Sequence, residues 1–166
     1  MLASNSSNQN FPAYFEILDE EDREKYKKLK YYIANSGKKY KRYQRVESLK
    51  DALHWAYCYC IKHDSNDWKR CLICGIFWTD LDTIIINNHQ LQILIDKCKS
   101  SINDAILRMG YKTIPFTSCE ETKLMYNNPF LSEKSIEWKN WTVRKKLLFP
   151  QIYFQNNYNH LIEKCY

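Results

Sequence analysis

Residues able to do chemistry are densest between Lys97 and Arg108. An asparagine amide can bond an adenine edge twice, an arginine can grip guanine or a phosphate, and a serine hydroxyl suits either kind of base edge. Lysines at a helix entrance stand where exposed backbone N–H groups also favour a phosphate. The chemistry indicated is recognition of double-stranded DNA. Ser100, Ser101 and Asn103 are the candidate base readers, and Lys97, Lys99 and Arg108 the candidate backbone contacts. Asp104 runs against this reading. A carboxylate on the same face repels phosphate unless it caps the helix or accepts from a cytosine amino group.

Other constellations compete. Cys58, Cys60, His63, Cys71 and Cys74 are zinc-ligand types close together in sequence. No glycine-rich knuckle surrounds them, and Cys71 and Cys74 sit among Leu72, Ile73, Ile76 and Phe77. On a helix, Cys58 and Cys60 point about 200° apart. They are expected to be small buried hydrophobes, with neither metal nor other cofactor. Cys98, between Lys97 and Lys99, is placed for a lowered thiol pKa, but the reading is a packed turn residue. The histidines are scattered at His54, His63, His89 and His160. No nucleophile elbow, phosphate loop or HExxH pattern appears, so neither catalysis nor a small-molecule substrate is expected. His89 reads as a cap-region or surface residue. Tyr40 and Tyr43 interleave with Lys39, Lys41, Arg42 and Arg45, a pattern that stacks on bases or packs beside a phosphate-gripping loop. Trp55, Trp68 and Trp78 read as core. The alternatives to duplex binding are a small zinc-binding or protein–protein adaptor domain and a single-stranded nucleic-acid binder.

A base-reading helix must be held rigidly, and the surrounding pattern supplies the elements. Asn88 is placed to cap a helix through Gln90, Leu91, Ile93, Leu94 and Ile95. After a very short link near Cys98, Ser100 or Ser101 can cap a second helix, with Asp104 reaching back from its third position. That helix buries Ile102, Ala105, Ile106 and Met109 and stops at Gly110. So short a link forces a sharp helix-turn-helix over residues 84–112. Upstream, residues 19–35 predict a helix capped by Asp19, with Glu20, Glu21 and Asp22 in its first turn and Gly37 ending it. Residues 47–63 predict another, because apolar side chains recur at three and four. Residues 64–67 and 80–82 read as turns and residues 83–86 as a β-branched strand. Residues 70–78 are apolar and fit either element. Downstream, Ile114, Pro115 and Phe116 look extended, residues 118–128 are polar without a period, and residues 132–146 supply the second strand of a hairpin through Trp138, Trp141 and Val143. A short helix is expected at residues 159–164.

The order helix, strand, helix, tight turn, helix, hairpin predicts a mostly α fold with a small β-hairpin. This is an α+β winged helix-turn-helix carrying an N-terminal helical extension. The expected divisions are a disordered tail at 1–10, a helical extension and basic linker at 11–45, the winged-helix DNA-binding domain at 46–146, and a tail at 147–166. Composition fits one domain: 166 residues, 45% hydrophobic and 15% aromatic. The formal net charge of +6 is unevenly spread. Residues 16–24 are strongly acidic, while residues 38–45 are basic and contain no acid. Residues 134–146 are again basic, which adds Arg144 and Lys145 to the candidate backbone contacts, beside Lys41, Arg42 and Arg45. Separation of sign along the chain predicts a face with a positive field. The polar N-terminus and odd cysteine count predict reduced thiols in the cytosol or nucleus, and no apolar stretch reaches membrane-spanning length.

The run Ile86-Asn87-Asn88-His89-Gln90-Leu91, then Lys97-Cys98-Lys99-Ser100-Ser101-Ile102-Asn103, then Met109-Gly110-Tyr111, resembles the initiator-binding domain of trichomonad-type transcription factors. Asp67-Trp68-Lys69-Arg70, Cys74-Gly75-Ile76 and Trp141-Thr142-Val143-Arg144 are also similar to that family. The resemblance implies a winged-helix transcription factor of the nucleus, bound to the initiator element of core promoters, with the transcription machinery as a further partner. It implies that the helix beginning near Lys99 enters the major groove. It carries over Lys99, Ser100, Ser101 and Asn103, and Arg144 downstream. In the best-known architecture of that family a second domain contacts the polymerase. About twenty residues follow Lys146 here, so the expectation is either an isolated domain or a DNA binder without that recruiting part.

Overall fold

The computed structural model describes residues 10–128 and 136–147. Of the expected elements, the tail at 1–10 apart from its last residue, residues 132–135 of the hairpin strand, the tail at 147–166 apart from its first residue and the short helix at 159–164 lie outside the described residues. Among those described, the helices are α1 (Glu20–Gly37), α2 (Arg45–Cys60), α3 (Asp67–Cys74), α4 (Asn88–Ile95), α5 (Lys99–Arg108) and α6 (Ser118–Asn127). The strands are β1 (Ile76–Asp80), β2 (Thr83–Asn87), β3 (Tyr111–Ile114) and β4 (Trp141–Lys146). They form one antiparallel sheet in the order β1-β2-β4-β3. The α+β fold with a hairpin wing is as expected, although β1 makes the sheet larger than the hairpin alone.

The register explains how the sheet is buried. Ile76, Trp78, Ile84, Ile86, Thr142, Arg144 and Thr113 oppose one another across the strands and share one face. Trp78 on this face meets Tyr57 of α2, with ring centroids 5.2 Å apart, so it fronts the helical layer. Phe77, Ile85, Val143, Trp141 and Ile114 share the other face. α6 packs near β1 with Leu124 buried, and Phe116 stacks on Trp138 beside Trp141. Covered on both sides, β2 is buried from Thr83 through Ile86. A run of four β-branched residues suits a strand without a wet face. Residues 118–128, which showed no period, form α6. Its apolar contact rests mainly on Leu124, too little to leave a pattern.

α1 opens as expected, with Asp19 Oδ1 accepting the Asp22 N–H at 2.7 Å. It runs two residues further than expected, so Gly37 is its last residue. α2 stops three residues short of His63 because another carboxylate takes over. Asp67 accepts the backbone N–H groups of Lys62, His63 and Asp64 at 3.1, 3.1 and 3.4 Å, which bends the chain through His63 at φ 60°. The ambiguous stretch 70–78 resolves into the end of α3 and then β1, and Gly75 makes the corner. Its φ is +79°, and a Cβ there would lie 2.5 Å from Gln90 Cβ and 2.9 Å from the Asn87 carbonyl oxygen, so only glycine fits.

Arg70, 1% exposed, joins these elements. Its guanidinium donates to Asp22 at 2.8 Å, to Asp64 at 2.6 Å, to Asp67, and to the Cys60 carbonyl at 3.1 Å. Lys62 adds an ion pair to Asp22 at 3.2 Å. Burial raises the pKa of Asp22, but Arg70 and Lys62 outweigh it and hold this carboxyl below its ordinary value. α1, the end of α2, the following loop and α3 are thereby locked together.

Candidate nucleic-acid interface

The interface is built on α5. Ile102, Ala105 and Ile106, spaced at three and four, are 2%, 2% and 0% exposed and fasten one face to the core. The chain enters from α4 through Asp96, Lys97 and Cys98 alone. Asp96 adopts the left-handed region at φ 57°, with its N–H donating to the Gln92 carbonyl at 2.8 Å. A short polar side chain tolerates that region better than most, and it allows the abrupt turn. At the far end Gly110, φ +93°, leaves the helix, and its carbonyl accepts the Leu147 N–H at 3.2 Å. α5 is thus pinned at both ends, which presents its outer face rigidly.

The capping differs from the expected pattern. The cap of α4 is Asn87, not Asn88: its side chain accepts the N–H groups of His89 and Gln90 at 3.0 and 3.2 Å where β2 ends. α5 starts at Lys99, and its N-cap, Cys98, makes no side-chain cap bond. Ser100 and Ser101 therefore lie inside the first turn, and neither caps it. Asp104 does not reach back either. Its Oδ2 stands 3.0 Å from Arg108 Nε, one turn along, a charge contact without hydrogen-bond alignment. This pairing offsets the repulsion Asp104 would exert on phosphate, and Arg108 is correspondingly not a free cation.

On the outer face Ser100 is exposed, and Ser101 and Asn103 are half-buried. The basic link between α1 and α2 folds against the start of this helix. Lys41, Arg42, Gln44 and Arg45 line a cleft with Lys97 and Ser101, floored by Leu49, Ile95 and Ile102. Lys99 faces a second cleft with Asn88, His89, Glu137, Lys139, Asn140 and Thr142, where Lys139 stands 3.6 Å from the Glu137 carboxylate. Lys41, Arg42, Arg45, Lys97 and Lys99 are all exposed, and none forms an ion pair among the described residues. Uncompensated cations flank the helix start on both sides, so the field there attracts a polyanion. Lys139 and Asn140 were not singled out from sequence; the basic run 134–146 was the one signal for them.

Arg144 comes from the helix-facing side of β4, half-buried. Its Nη2 donates to Asn103 Oδ1 at 2.9 Å. Burial lowers the pKa of Arg144, and no carboxylate opposes that effect. Lys145 is not brought to α5. Alternation along β4 turns it to the other sheet face, opposite Lys112 and Thr83.

The cysteines separate into two groups. Cys60, Cys71 and Cys74 are buried, and Cys58 is exposed with Sγ 3.8 Å from His54 Nε2. Burial pushes the Cys60 thiol well up; contact with Cys60 and burial do the same to Cys71. Among the described residues no group of three or more His, Cys, Asp or Glu is placed to hold an ion. Cys98 is exposed rather than packed, because the Asp96 turn lies on the surface. Ser100 Oγ at 3.3 Å, the Ser101 N–H and the charge of Arg45 lower its thiol pKa. Tyr40 bonds Asp51 and so packs, whereas Tyr43 is 75% exposed beside Lys41.

A family model described as "Transcription-initiator DNA-binding domain IBD" matches residues 20–147. No curated protein and no solved structure matches the chain.

Proposed function

The chain belongs to the transcription-initiator DNA-binding domain family, and on that premise we propose that it binds double-stranded promoter DNA in the nucleus and selects the initiator element of core promoters, without catalysis. One observation carries the reading: a rigidly held helix with exposed or half-exposed Ser100, Ser101 and Asn103, bracketed by unpaired cations on both sides. A helix of this width enters the major groove, where each base pair shows a distinct pattern of donors, acceptors and methyl groups.

In this proposal Ser100, Ser101 and Asn103 read base edges. Lys41, Arg42, Arg45 and Lys97 hold one phosphate backbone, and Lys99 holds the other, with Lys139 joining it by exchanging Glu137 for a phosphate. Phosphate contacts position the domain and supply most of the affinity, while the base contacts supply selectivity. Arg108 joins the backbone contacts by exchanging Asp104 for a phosphate. Lys145, on the sheet face turned away from α5, is at most a peripheral contact near the end of β4.

The deciding experiment is selection from a random duplex library, followed by competition between the enriched duplex, its separated strands and unrelated duplex. An enriched motif bound in preference to both competitors supports the reading. Equal binding of single strands, or no enrichment, refutes it.

A further inference from the structure

Arg144 of β4 and Asn103 of α5, forty-one residues apart, meet in a half-buried side-chain hydrogen bond. A guanidinium carries five N–H donors and no acceptor. Whatever atom of Asn103 faces it must accept, so the carbonyl Oδ1 is turned toward Arg144 and the Nδ2 amino group is turned away from it. Thr142 Oγ1, 3.4 Å from Arg144 Nε, helps hold the guanidinium in place. An asparagine side chain alone flips between two nearly isosteric orientations, one presenting a donor and the other an acceptor at a given point. From this geometry we infer that Arg144 is a specificity-determining positioning residue: it sets which end of the Asn103 amide faces the base edge.

The consequence is chemical. With Nδ2 outward, Asn103 requires an acceptor such as a purine N7, and the second lone pair of Oδ1 remains for the amino group of adenine. A flipped amide would accept where it now donates and would tolerate other bases. The inference rests on the proposal that Asn103 reads bases. It differs from a plain phosphate contact by Arg144, which would strengthen all duplexes alike.

The test has one part without DNA and one with it. In the free protein, Arg144→Gln offers either end of an amide and removes the donor-only constraint. The Asn103 side-chain amide signal in a nitrogen–proton correlation spectrum should then move while the backbone signals away from the pair stay in place. Should the Gln variant fail to fold, Asn103→Ala, at a half-exposed helix position, should move the Arg144 Nη–H signal instead, because Nη2 is the donor to Asn103. An unmoved partner signal overturns the inference. With DNA, the affinity ratio between the library-selected duplex and a random duplex should fall on the order of tenfold in Arg144→Gln. It should fall no further when the same change is made in Asn103→Ala. Equal weakening of both duplexes in both backgrounds would make Arg144 a phosphate contact and overturn the inference. Wild-type protein with no duplex preference would refute the proposed function instead, and the DNA-free spectra would then decide whether Arg144 orients Asn103.

Discussion

Arg70→Met tests whether the buried ion cluster holds the first three helices together. The aliphatic part of the side chain survives, but Asp22, with its side chain 8% exposed, loses its 2.8 Å partner. The Cys60 carbonyl loses its donor as well. Breaking a buried pair from one side costs about 3–5 kcal/mol. Lys62 stays 3.2 Å from Asp22, and the Asp64 side chain, 46% exposed, regains water. These two facts place the expected loss near the lower end, about 3 kcal/mol, or a fall in Tm of roughly 10 °C for a chain of this size. Urea denaturation should show a lower midpoint with an unchanged slope. The pH dependence should change too. Asp22 is held below its ordinary pKa, so its contribution is present above about pH 4 and is lost as pH falls through the lowered value. Without Arg70, burial dominates and the acid limb of the stability curve should move to higher pH. Adding Asp22→Asn to Arg70→Met should recover part of the loss by removing the stranded charge. A single variant within about 1 kcal/mol of wild type, far below the cost given above, with an unshifted acid limb, would refute the reasoning.

Three further outcomes are expected. Asn103→Ala should cost on the order of 1–3 kcal/mol on the selected duplex and much less on random duplex, measured by fluorescence anisotropy; equal losses would remove Asn103 from the base readers. Arg42→Glu should weaken all duplexes and reduce the slope of log affinity against log salt by roughly one or more, since a counterion-releasing contact is lost; an unchanged slope would place Arg42 off the DNA. Gly75→Ala should destabilise by about 3 kcal/mol in thermal unfolding, because φ +79° and a 2.5 Å approach to Gln90 Cβ leave no room for a methyl. A neutral substitution there would contradict the α3–β1 corner.

Local signals carried far in this chain. Ile102, Ala105 and Ile106 marked the buried face of α5 by spacing alone, and the acids after Asp19 marked the start of α1. Both follow from periodicity and the helix dipole, which act within a few residues. The four β-branched residues of β2 announced a strand, and the basic run 38–45 announced a positive surface. Boundaries were less legible. The helix starts at Asn88 and Lys99 were displaced by one residue and by two or three, because strand pairing and a left-handed Asp96 decided where the helices could begin. α6 left almost no trace, since burial of a single leucine produces no period.

From the sequence alone came the helix-turn-helix, its basic surroundings and the family resemblance, all properties of neighbouring residues. The Asp104–Arg108 pair likewise follows from i,i+4 spacing on one helix. Tertiary structure alone decided that Arg70 reaches Asp22 and that Lys97 and Lys99 look into different clefts. It alone set Arg144 against Asn103 and turned Lys145 away. The physical reason is reach. Hydrogen bonds and ion pairs act over a few ångströms, so partners forty or more residues apart become neighbours only when sheet register and helix packing deliver them.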